Sequence, residues 1–421
     1  MATATANFSS ALSLADLVEI AELGRAGDGI AEVATAQIYV PLTLPGETVE
    51  IERSGKRNRA IAIAAASPDR VRPVCRHFGT CGGCALQHMA RPAYLAWKRQ
   101  IVADCLKQRG IAADVEPTVP IGTHTRRRTV FSALESANGL VLGFHQRGTR
   151  RIVAVHECSV LVPAIVDKLG LLAEIAARTL RRGKAARIVI VAADNGLDIA
   201  VEGADKLGRR ELEFLGGLAG DADLARLTVD GALIFLNRRP EIRIDDLSLL
   251  PVPGGFVQAA ADAEAALAAA VLDHIGDAAP VADLFSGIGT FALRLARKAA
   301  TTAIDGSAEL VDAVETAANV AQGLKPLTVH KRDLFRNPLA AAELDGFGAV
   351  VFDPPAAGAR AQAEAIAVSR VPKAVAVSCN PATLGRDTRT LIDGGYRLVR
   401  VLPVDQFLFS AEIEVVATFE R

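Results

Sequence analysis

The chain has 421 residues, half of them hydrophobic, and a formal net charge of −1. That length allows about three domains with a large core, and no apolar run reaches the ~18 to 20 residues needed to span a bilayer. The near-neutral total hides a basic block, because Ile51 to Val160 holds 18 Lys and Arg against 7 Asp and Glu. Such a block is the electrostatic footprint of a polyanion partner, and it contains Arg126, Arg127 and Arg128, with Arg147, Arg150 and Arg151 beyond. Met1 to Ser10 lacks the basic-then-apolar layout of a signal peptide, so a cytoplasmic protein is expected. Without secretion, the six cysteines point to metal binding, redox chemistry or catalysis rather than disulfides.

In chain order, short strands come first: Val18 to Ala21, Gln37 to Pro41, Thr48 to Glu52 and Ala60 to Ala66, with a turn at Leu44-Pro45-Gly46-Glu47. Several strands in so short a stretch fit a small OB-like barrel over residues 10–68. A mixed central domain, 69–250, follows. It opens on Cys75-x5-Cys81-x2-Cys84, with Cys158 far downstream. Four thiolates hold either a four-iron, four-sulfide cluster or one zinc ion, and the x5 spacing fits paired zinc knuckles poorly. A helix is predicted over Pro92 to Gln108 and another over Ala164 to Arg182. Thr129 to Leu134 and Leu140 to His145 read as paired strands. Arg187 to Val191 and Leu197 to Val201 read as a hairpin across Asn195-Gly196.

From 251 to 421 the pattern becomes alternating strand and helix after a long Ala-rich helix, Ala259 to Ile275, which implies a largely parallel sheet. Val281 to Phe291 reads as strand, Gly-bearing loop and helix start, with Phe285 and Gly287 at the strand's carboxyl end, where a nucleotide-like cofactor binds. Asp305 ends the next strand, about 20 residues on, and suits ribose hydroxyls. Val350 to Phe352 ends in Asp353-Pro354-Pro355. Val375 to Ser378 ends in Cys379-Asn380-Pro381, a strand that stops and presents a thiol at a turn.

Together these residues resemble the uridine-5 RNA methyltransferases, nearly end to end. Leu44 to Glu47 resembles that family's N-terminal TRAM RNA-binding barrel. Cys75, Cys81, Cys84 and Cys158 match the [4Fe–4S] ligands of its 23S ribosomal RNA branch. Phe256-Val257-Gln258 is similar to its aromatic-x-Gln segment. Ser378-Cys379-Asn380-Pro381 matches its nucleophile motif, and Glu414 falls on its general base.

The resemblance implies an α/β protein with a TRAM/OB-like barrel, a central [4Fe–4S] domain and a C-terminal Rossmann-like methyltransferase domain. It also implies S-adenosylmethionine held by Gln258, Phe285, Gly287, Asp305 and Asp353, with Asp353 orienting the uracil edge. Phe256 would stack near the target, and the RNA would be 23S ribosomal RNA before tRNA. A monomer without membrane contact is expected.

Two departures stand out. Ala356 replaces the Arg that follows Asp-Pro-Pro or Asp-Pro-Ala in the family. Leu408 to Ile413 replaces a Pro-His-Thr-x-His-Val stretch, so both histidines are gone. Three rival readings remain open: a non-catalytic RNA-binding or ribosome-assembly protein, a methyltransferase acting on a base nitrogen, and an iron–sulfur redox enzyme.

Overall fold

The computed structural model describes residues 16–33, 36–54, 57–137, 139–181, 183–244 and 246–421. Met1 to Ser10, residues 10–15 of the expected barrel, and Arg182 at the end of an expected helix lie outside the described residues. The chain forms two compact units, residues 1–74 with 85–94 and residues 75–84 with 95–421.

The first unit carries two three-stranded antiparallel sheets. One orders Asp16–Glu19, Thr48–Ser54 and Arg57–Ala65, and the other Glu22–Leu23, Gly29–Val33 and Ala36–Val40. Alternating residues Val18, Ile20, Ala31, Val40, Val49 and Ile51 meet in one core, as period-2 strands require. The turn at Gly46 (φ +79°) delivers Glu47 inward. There its buried carboxylate accepts from the amides of Leu44 (2.8 Å) and Ser67 (3.3 Å) and from the Arg70 guanidinium.

The second unit contains two seven-stranded sheets. The first orders Ala232–Leu236, Arg226–Val229, Gly196–Glu202, Ala185–Ala193, Arg128–Ser136, Gly139–His145 and Ile152–Ala154. The expected hairpin forms across Asn195 and Gly196, with Ile190 opposite Ile199. The helix expected over Ala164 to Arg182 is instead two pieces, Pro163–Val166 and Leu169–Thr179. The chain leaves helical geometry at Lys168 (φ −101°, ψ 11°), which lets Ile165, Leu172, Ile175 and Ala176 all reach one core.

The second sheet orders Leu327–Lys331, Thr301–Asp305, Val281–Leu284, Ala349–Phe352, Lys373–Ser378, Glu414–Glu420 and Arg397–Val404. Its neighbours pair in parallel, except Glu414–Glu420, which runs antiparallel to both strands beside it. The central strands Val281–Leu284 and Ala349–Phe352 are buried along their whole length, because helices cover both faces. The strand order reverses where Val281–Leu284 lies between Thr301–Asp305 and Ala349–Phe352, the switch point at whose carboxyl ends such sheets bind ligands. Among the described residues no helix is long and apolar enough to cross a membrane.

Candidate active site

The site residues meet at one edge of the second sheet. Phe285, Asp305, Asp353 and Cys379 each stand at the carboxyl end of a parallel strand, and Glu414 opens the antiparallel strand at that same edge. Register makes the juxtaposition. Ser378 pairs with Val415, so the next step along each strand sets Cys379 against Glu414. This explains why a nucleophile and a base 35 positions apart in the chain can be neighbours.

The loop after Val281–Leu284 reverses sharply, with φ of +61° at Phe285, +57° at Gly287 and +90° at Gly289. A side chain on Gly287 would enter space where no protein atom lies within 4 Å. This open cradle fits a ligand approaching the backbone. Asp305 fixes the loop, its Oδ2 accepting from the Gly287 amide (3.0 Å) and its Oδ1 from the Ser307 amide (2.9 Å). The rings of Phe285 and the exposed Phe335 pack at 5.3 Å, tilted by 53°, forming an aromatic wall. Phe335 escaped the sequence reading; the signal was Asp333-Leu334-Phe335 just past strand Leu327–Lys331.

Gln258 is buried and links both halves of the site. Its Nε2 lies 3.4 Å from Asp353 Oδ2, and its Oε1 accepts from Gln406 Nε2 (2.8 Å). The same Gln406 amide donates to Glu414 Oε2 (3.1 Å). Gln406, unnoticed in the sequence, thus ties Gln258 to the buried Glu414. Burial pushes the Asp353 carboxyl up to about 7. Burial, then the Asp353 charge, drives Glu414 well above its usual range, against the Gln406 hydrogen bond. The Cys379 thiol is pushed up to about 11, first by burial and then by Glu414 and Asp353. Glu412 is exposed, whereas Glu414 is buried.

The departures have local structure. Asn380 caps the helix Pro381–Asp393, its Oδ1 accepting from the Ala382 amide (3.1 Å), and its Nδ2 donates to the Ala356 carbonyl (3.0 Å). The Asp-Pro-Pro turn is therefore fastened beside Cys379 without an arginine at 356.

The three arginines divide, contrary to the expectation of a uniform RNA-binding set. Arg127 is buried against Glu264 (2.5 Å), and its Nε donates to the Gln258 carbonyl (3.1 Å), so its charge serves the interior. Glu264 also receives Arg294 (2.8 Å). Glu264→Ala would strip the buried Arg127 and the partly buried Arg294 of the carboxylate they share. We expect a loss of about 3 to 5 kcal/mol in denaturant unfolding. Arg126 lies over the Phe407 ring (5.9 Å), and burial lowers its pKa while Glu412, Cys84 and Cys158 raise it. Arg128 holds the Gly255 carbonyl (2.8 Å) and sits 5.8 Å from the ring of Phe256, which is 59% exposed.

Cys75, Cys81 and Cys158 lie close enough to feel one another's charge. Burial raises the thiols of Cys81 and Cys158, while backbone amides aimed at the sulfurs, Gly83 on Cys81 and Val160 and Leu161 on Cys158, pull the other way. Among the described residues no group of three or more His, Cys, Asp and Glu is arranged to hold a metal ion.

The family model for tRNA (uracil-5-)-methyltransferases matches residues 250–421. An uncharacterised RNA methyltransferase from Brucella suis biovar 1 is 45% identical, over 96% of this chain and 97% of that one. A 23S rRNA (uracil(1939)-C(5))-methyltransferase, RlmD, from Shewanella amazonensis is 31% identical, over 98% and 97%. This chain belongs to the RNA (uracil-5-)-methyltransferase family. As a member, it is an S-adenosylmethionine-dependent enzyme that methylates uracil in RNA at carbon-5. The crystal structure of the Pyrococcus abyssi tRNA (uracil-54, C5)-methyltransferase with S-adenosyl-L-homocysteine shares its fold. The TM-score is 0.74 at 21% identity, covering 96% of this chain and 99% of that one.

Proposed function

We propose that this uracil-5 methyltransferase acts on 23S ribosomal RNA, with Cys379 as nucleophile and Glu414 as general base. The observation that carries the reading is the pairing of Ser378 with Val415, which sets thiol and carboxyl side by side at the cofactor edge. Uracil carbon-5 is a poor nucleophile. The Cys379 thiolate adds to carbon-6, forming a C–S bond and an enolate whose electrons concentrate on carbon-5. S-adenosylmethionine, when bound, supplies the methyl group that carbon-5 takes. Glu414 then removes the carbon-5 proton, the C–S bond breaks, and the thiolate leaves. A carboxylate held above its ordinary range is a stronger base, as this step needs.

Gln258, Phe285, Gly287, Asp305 and Asp353 are read as the cofactor set, with Asp353 also orienting the uracil edge. The exposed Phe256, with Arg128 beside it, offers a stacking face for a flipped base. The six-stranded N-terminal unit is read as a TRAM-like RNA-binding module.

Cys75, Cys81, Cys84 and Cys158 are assigned to a [4Fe–4S] cluster. A cluster brings its own bulk between the sulfurs, so its ligands need not converge on one point, and amides aimed at sulfur favour the thiolates it requires. Such a cluster supplies a structural tie between the 75–84 loop and Cys158. Anaerobic purification should give brown protein containing iron and acid-labile sulfide, both lost in Cys158→Ala. Colourless, iron-free protein would remove this assignment and leave the nucleophile untouched.

The substrate class is tested by trapping. Enzyme and S-adenosylmethionine are mixed with 5-fluorouridine-containing fragments of 23S ribosomal RNA or with tRNA. A denaturing gel and mass spectrometry then detect a methylated covalent complex. Carbon-5 bearing fluorine has no proton to lose, so a true substrate stays attached. Trapping by tRNA alone would overturn the ribosomal assignment.

A further inference from the structure

The loop between strand Arg397–Val404 and Glu414 is held by a side chain that none of these steps uses. Lys98, on helix Arg91–Lys107, is wholly buried, as is its partner Asp405. Its Nζ donates to Asp405 Oδ1 (2.5 Å), to the Phe407 carbonyl (3.1 Å) and to the Glu412 carbonyl (2.6 Å). An ammonium carries three donors and no acceptor, and burying one is costly unless acceptors surround it. Here the acceptors come from the beginning and the end of a single loop, 405–412. One ammonium therefore draws the two ends together.

What the loop carries gives this clamp its meaning. Gln406 follows Asp405 directly, and its Nε2 bridges Gln258 Oε1 and Glu414 Oε2. Glu412 stands two residues before Glu414. Val404, one residue before Asp405, pairs with Glu414 in the sheet. Lys98 thus fixes the backbone leading into Glu414, the backbone that follows its strand partner Val404, and the residues flanking Gln406, whose amide holds its carboxyl. The stretch where the family carries two histidines has none here, and this buried cation binds the loop at Asp405, Phe407 and Glu412.

We propose that Lys98 is a positioning residue for the proton-abstraction step: it sets where the Glu414 carboxyl stands relative to carbon-5. The proposal rests on the reading of Glu414 as the base. It concerns that step, because Cys379 is placed by a different element, strand Lys373–Ser378.

The test uses ordinary uridine-containing RNA with S-adenosylmethionine and follows, by rapid quench and denaturing gel, the formation and release of the covalent complex. Lys98→Met is expected to form the methylated complex at the wild-type rate and to release it roughly 100-fold more slowly, the cost of a misplaced catalytic group. The complex would then accumulate, whereas in the wild type it does not. Lys98→Met leaves a buried carboxylate, so Lys98→Met/Asp405→Asn is measured beside it. The double variant keeps the interior neutral and decides the matter if the single one does not fold. Glu414→Gln is the reference. Accumulation in the reference and in a Lys98 variant supports the proposal. Accumulation in the reference alone overturns it, as does equal slowing of formation and release in the Lys98 variants, which marks a merely structural lysine. No accumulation in Glu414→Gln removes the base assignment, and the proposal with it.

Discussion

Cys379→Ala is expected to abolish the covalent complex with 5-fluorouridine RNA and to lower turnover on ordinary RNA on the order of 10⁴-fold or more. The effect should be this large because a thiolate is far more nucleophilic toward carbon-6 than the carboxylates around it. Among the described residues, the titratable groups whose charges reach Cys379 are Glu414, Asp353 and Glu412, all carboxyls. An alanine leaves the strand and its cap intact, since Asn380 fastens helix Pro381–Asp393 through its own side chain. Binding of S-adenosylmethionine and of RNA should therefore persist. Isothermal titration with the cofactor, beside the gel assay, separates loss of chemistry from loss of fold. A variant that still methylates uridine at a substantial rate would sink the covalent mechanism.

Glu414→Gln is expected to form the methylated complex and to hold it, with release slowed by about 10² to 10⁴, the usual range for a missing general base. Two further readouts follow from electrostatics. The Glu414 charge helps push the Cys379 thiol up to about 11, so its removal lets the thiol ionise at lower pH. Alkylation of Cys379 by iodoacetamide, followed against pH, should shift downward in the variant. The carboxyl of Glu414 is also raised well above its ordinary value of 4.5 in the folded protein, chiefly by burial. The folded state then binds its proton more tightly than the unfolded state does. The resulting destabilisation is absent below about pH 4.5 and grows as pH rises above it. Glu414→Gln should accordingly melt at a higher temperature than the wild type at pH 7 to 8, the difference vanishing near pH 4. A variant less stable at neutral pH would show that the carboxylate is a favourable structural contact, not a base held at a cost.

Much of the site could be read from the chain because local rules create it. A strand that ends in a polar turn exposes its last side chain whatever the rest of the fold does. Asp305, Asp353 and Cys379 were legible for that reason, as were Gly287 and the turn it permits. Alternation and turn residues likewise marked the hairpin at Asn195-Gly196 and the alternating strand–helix order of residues 251–421. The break at Lys168 was not legible, since the apolar spacing of residues 164–179 runs through it, and both pieces share one tertiary core.

By itself, then, the sequence determined the strand ends, the thiol motif and the family resemblance, all of which depend on neighbours a few positions apart. Tertiary structure decided which of those ends meet. Register, a long-range property, set Cys379 against Glu414. Burial, invisible to composition, turned Arg127 from an apparent phosphate ligand into an internal counter-ion for Glu264. Gln406 and Lys98 look unremarkable in the chain because each acquires its role from partners more than a hundred positions away: Gln258 for the one, Asp405 for the other. A charge or an amide gains meaning only when desolvation leaves it a few acceptors, and only the folded chain decides which acceptors remain.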